Sequence, residues 1–119
     1  MSEVKKAFLA FHYAEKIKTN LIMTSALLEF LSGLADTEIA GAEKLLITYF
    51  NALIAEVNIA ANASQIEVFR DITAKLNEAV EQTRQHNYAN AERLVSEAIS
   101  ITTTQRSGAA QALKDKGII

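Results

Sequence analysis

His12, Glu15, Glu56, Arg70 and Thr104 are the residues of this chain whose types and spacing could build a chemical site. If the chain folds back near Ala35, Ala63 and Asn87, residues equidistant from each turn share a level, and these side chains then form one polar layer. Inward carboxylates and histidines on facing helices are how helical bundles hold metals or move protons. The di-iron arrangement requires a Glu-x-x-His, yet no carboxylate here precedes a histidine by three positions. His12 and Glu15 come in the reverse order, and Arg70 would bring a cation into the layer. The expectation is therefore an ion pair of Glu56 with Arg70 or with a lysine of the first helix. No catalytic residue, metal ligand or cofactor is assigned.

Glu29 sits among Leu27, Leu28, Phe30 and Leu31, which predicts partial burial and a pair across helices or between subunits. His86 stands beside Arg84, Asn87 and Tyr88 at a predicted helix end, where side chains cap and ligands also bind. Arg84 and His86 are separated by a single residue, which does not fit the wider Arg-to-His spacing of HEPN ribonucleases. His12 likewise lacks the His-x-x-Lys-Gly of histidine phosphotransfer bundles. Ser100, Thr102, Thr103 and Thr104 are expected to cover different faces of one helix. There is no glycine-rich phosphate loop, G-x-S-x-G elbow, EF-hand loop, or basic stretch interleaved with aromatics.

Composition bounds what can position such residues. The 119 residues are 50% hydrophobic and 22% charged, which describes one folded domain and not a disordered chain. A net charge of -2 argues against a general polyanion binder, so a nucleic-acid role is the weakest reading. The absence of cysteine excludes disulfides, thiolate chemistry and Cys-containing zinc sites, and with no signal-peptide pattern at the amino terminus it leads us to expect a cytoplasmic protein. Glu56 and several asparagines interrupt Leu45 to Ile66, which argues against a membrane span.

The chain has no proline and only four glycines, and its apolar residues recur at three and four. The expected fold is all-α: an antiparallel up-down-up-down four-helix bundle spanning 1–119, with helices at about 2–32, 38–61, 65–86 and 88–106. Ala7, Ala14, Leu21 and Leu28 with Ala10, Ile17, Thr24 and Leu31 mark the seam of the first. Gly33 is read as a left-handed terminator, Asp36 or Thr37 as the next cap, and Ser64 with Glu67 as a capping box. Asn87 is read as the cap of the fourth helix, which Ser107 and Gly108 end or bend before a further helical stretch over 109–116.

Hydrophobicity is unevenly spread over these helices. Leu21 to Ala35 contains a single charge, Glu29, and Leu45 to Ile66 a single one, Glu56. The first hairpin thus carries more apolar surface than one inward stripe requires. Ile22, Met23, Leu27, Phe30 and Leu34, with Ile47, Phe50, Ile54 and Ile59, are the expected interface of a homodimer. The favoured function is a noncatalytic interaction or scaffold subunit, with the charged faces of the last two helices free for another protein partner. The alternative is a bundle that binds a small apolar ligand or a metal between its helices, with hydrolytic activity at His12, Glu15, Glu56 and His86.

Overall fold

The computed structural model describes residues 2–119 as four helices, with no strand among the described residues: α1 Glu3–Ser32, α2 Asp36–Ser64, α3 Val68–Arg84 and α4 Tyr88–Asp115. Each helix packs against two others, α1 on α2 and α4, and α3 on α2 and α4, which closes a ring around one core. The molecule is elongated, 55 × 21 × 17 Å.

The α1 core stripe is Ala10, Ala14, Ile17, Leu21, Thr24, Leu28 and Leu31, a regular alternation of four and three. It packs against α4, whose buried residues are Ala91, Leu94, Val95, Ala98, Thr102, Ala109 and Leu113. Phe50 of α2 and Phe69 of α3, both 0% exposed, are the largest fully buried side chains of the core. The buried hydroxyls of Thr24, Ser64, Thr83 and Thr102 each donate to the carbonyl four residues earlier, so they need no further partner. In the hydroxyl run of α4, Thr102 is buried, Thr103 half-buried and Ser100 and Thr104 exposed, so these residues do cover different faces.

The helix ends differ from the sequence expectation in several places. Ser2 caps α1, its hydroxyl accepting from the Lys5 amide at 3.2 Å. Gly33 is right-handed, with φ −96°, because the chain closes there by short amide bonds from Gly33 to Phe30 and from Leu34 to Leu31. Left-handed backbone falls instead on Gln65 and His86 in the two later connections, with φ 58° and 63°, and on Gly117 after α4, with φ 73°. Ser64 belongs to the last turn of α2: its hydroxyl is committed to Ala60 and receives the amide of Ile66, so no capping box with Glu67 forms and α3 starts at Val68. Neither Asp36 nor Thr37 caps α2, which begins at Asp36 after Ala35, whereas Asn87 does occupy the N-cap position of α4, though its side chain makes no cap bond. Helix α4 runs unbroken through Gly108, because Ala109 and Leu113 beyond it are buried and reward continuation.

Candidate functional site

The residues of the expected polar layer do not converge. Glu56 accepts from Asn20 Nδ2 at 3.2 Å and lies 3.6 Å from Lys16 Nζ, so its cation comes from α1 and not from Arg70. Glu15 turns the other way, pairing with Arg106 of α4, whose guanidinium sits 5.0 Å from the Phe11 ring centroid. Arg70 donates to Asn62 Oδ1 at 3.2 Å and pairs with Glu67 at 3.7 Å near the α2–α3 turn. His12 is exposed, stacked on Phe8 with 6.5 Å between ring centroids, and Thr104 is exposed on α4. The α1 core stripe explains the scatter: Ala10, Ala14 and Ile17 face inward, which turns His12 and Glu15 together onto the outer surface of α1. No group of three or more metal-ligating His, Asp or Glu side chains occurs among the described residues.

Glu29 is exposed rather than partly buried, and no ion pair is formed by it among the described residues. It falls off the Leu28 and Leu31 stripe onto the outer side of α1.

The closest grouping of titratable side chains involves a residue that sequence reasoning did not single out, Glu43. Tyr88 Oη donates to Glu43 Oε2 at 2.6 Å, and His86 Nδ1 lies 2.8 Å from the same oxygen and 3.3 Å from the phenol. The Glu43 side chain is only 12% exposed. Burial, the hydrogen bond to Glu43 and the carboxylate charge together push the Tyr88 phenol up to about 12, burial contributing most. A phenol held protonated is a poor nucleophile and a good hydrogen-bond donor. Its geometry here ties the left-handed α3–α4 turn to α2. No pattern in the sequence marks Glu43, because its partners lie more than forty positions away.

The largest departure from an ordinary soluble surface lies on the outer side of α1 and α2. Met23, Leu27 and Phe30 of α1 and Leu45 and Ile59 of α2 are exposed, Phe30 by 69% and Leu45 by 74%. Between the helices runs a groove of about 530 Å³, walled by Leu27, Phe30, Leu45, Thr48 and Ala52 with Leu31 and Leu46 at its base. Of the residues expected at an interface, Ile22, Met23, Leu27, Phe30 and Ile59 are exposed. Leu34, Ile47 and Ile54 are half-buried against the core, and Phe50 is wholly inside it. Ile47 and Ile54 share a side of α2 with Asn58, whose amide oxygen accepts from Thr73 of α3 at 3.0 Å, so they serve the α2–α3 contact. Leu45, the most exposed large apolar residue on these two helices, was missed because its neighbour Leu46 has the same composition and only the helix phase separates them. Among the described residues α2 is also the one helix long and apolar enough, by length and composition, to cross a membrane.

No protein-family model matches the chain, and no curated protein or solved structure matches it.

Proposed function

We propose that this chain is a noncatalytic, cytoplasmic interaction subunit: an antiparallel up-down-up-down four-helix bundle that forms a homodimer through the outer face of α1 and α2. The observation that carries this reading is the exposure of Met23, Leu27, Phe30, Leu45 and Ile59, three of which, Leu27, Phe30 and Leu45, wall one groove between α1 and α2. Apolar patches of this kind mark interaction sites, and an isologous dimer covers both copies at once. The antiparallel course is supported by three-residue connections at 33–35, 65–67 and 85–87. It is also supported by cross-helix bonds between Asn58 and Thr73 and between Lys75 and Glu97, each pair lying at nearly equal distances from the turn between them. The charged outer sides of α3 and α4, where Lys75 and Arg93 share Glu97, are left for a further protein partner.

A second reading rests on the groove itself. Its volume of about 530 Å³ lies within the range of small-molecule sites, so a small apolar ligand would fit between α1 and α2. Size-exclusion chromatography with light scattering separates the two. The dimer reading predicts twice the 13.0 kDa chain mass at micromolar concentration, lost in Phe30→Asp with helicity retained. A monomer that shifts the fluorescence of an environment-sensitive apolar dye would favour the ligand reading.

A further inference from the structure

We infer that the two copies pair in one antiparallel register, about a two-fold axis that crosses α2 at Ala52 and α1 between Met23 and Ala26. This rests on the dimer proposed above and specifies its geometry. On α2 the exposed stripe is Leu45, Thr48, Ala52, Ala55 and Ile59. Leu45 and Ile59 lie seven positions on either side of Ala52, so large aliphatic residues end the stripe symmetrically, with the small residues Thr48, Ala52 and Ala55 between them. On α1 the exposed stripe on the same side is Thr19, Met23, Ala26 and Phe30, whose midpoint lies between Met23 and Ala26. The Asn20–Glu56 hydrogen bond shows that these centres share a level: Asn20 precedes the α1 midpoint by as many residues as Glu56 follows Ala52, to within one.

A two-fold axis lying across both helices at that level places α2 on α2 and α1 on α1. Leu45 then meets Ile59 of the second copy, and Ala52 faces its own mate. On α1, Phe30 falls over Thr19 and Met23 over Ala26, large side chains on small ones. A two-fold axis running along α1 would instead stack Phe30 on Phe30 and Thr19 on Thr19 and would carry α2 away from its mate, which packs poorly. Ile59 of the second copy enters the groove walled by Leu27, Phe30, Leu45 and Ala52.

Area and charge agree with this occupant. The stripe with its end side chains is about 27 Å long and two helices are about 20 Å wide, so the copies together cover roughly 1,000 Å² before surface corrugation is counted, the threshold for a specific interface. Glu56 is the only charge between Leu45 and Ile59, and it is held sideways by Asn20 and Lys16. No like charges therefore oppose one another across α2.

The chain has no cysteine, which makes single-site disulfide crosslinking unambiguous. Ala52→Cys, Leu45→Cys and Ile59→Cys, each at an exposed position, are oxidised mildly beside the combined Leu45→Cys/Ile59→Cys variant, with native mass measured in parallel. The register predicts that Ala52→Cys and the combined variant crosslink at least about tenfold faster than either end variant alone, because a disulfide needs its Cα atoms within about 7 Å. Rapid crosslinking of Leu45→Cys or Ile59→Cys alone overturns the antiparallel register in favour of a parallel one. A stable dimer in which none of them crosslinks also overturns it, while leaving the dimer standing. A monomeric native mass defeats the dimer itself.

Discussion

The phenol of Tyr88 and the carboxylate of Glu43 are joined by a 2.6 Å hydrogen bond that spans from the start of α4 to α2. Because Glu43 is mostly buried, removing its donor leaves a poorly solvated carboxylate with His86 alone beside it. Tyr88→Phe should cost about 1–2 kcal/mol of unfolding free energy, measured by urea titration. No change in the urea dependence itself is expected, since the fold is kept.

The same bond predicts an alkaline limb. The Tyr88 phenol is raised to about 12 in the folded chain, against about 10 for an unperturbed tyrosine. The unfolded chain thus loses this proton first, so the contribution of Tyr88 is complete below pH 10 and declines as pH rises toward 12. Near-ultraviolet titration of phenolate should show one of the three tyrosines ionising late, and that step should vanish in Tyr88→Phe. An unchanged titration in the variant would assign the late step elsewhere.

Glu56 is a structural group in this account. Its contacts with Asn20 and Lys16 are partly exposed, and Glu56→Ala should cost about 1 kcal/mol, with Glu56→Gln near half of that because the amide oxygen still accepts from Asn20. Isothermal titration with zinc or manganese should give no saturable heat for the wild type or for either variant. Saturable binding lost in Glu56→Ala would restore the metal reading.

The level arithmetic of the sequence was sound where helix phase did not matter. It put Glu56 beside the early part of α1, and a lysine of α1 is its partner. It failed for His12, Glu15 and Arg70, because sharing a level does not mean sharing a face. The seam of α1 was legible from its regular heptad of apolar residues. On α2 apolar residues surround the helix, so no break in the pattern separates inward Phe50 from outward Leu45. Turns were least legible: left-handed backbone falls on Gln65 and His86 between the helices, positions that no glycine marks, while Gly33 does not use its freedom.

Gly108 gives a prediction from the same comparison. It lies inside α4, a β-carbon added there meets nothing within 4 Å, and its backbone is helical. Gly108→Ala should therefore stabilise the chain by about 0.5–1 kcal/mol, raising Tm by roughly 3–5 °C in a calorimetric scan. A lowered Tm would mean that α4 bends at this position after all.

The central claim is that the outer face of α1 and α2 is covered by a second copy of the chain. Sedimentation equilibrium of the wild type and of Leu45→Asp at micromolar concentration tests it most directly, since Leu45 is 74% exposed and makes no demand on the core. The account predicts a wild-type dimer and a folded Leu45→Asp monomer with unchanged helicity. A wild-type monomer across that range, or a dimer that Leu45→Asp leaves intact, would contradict it.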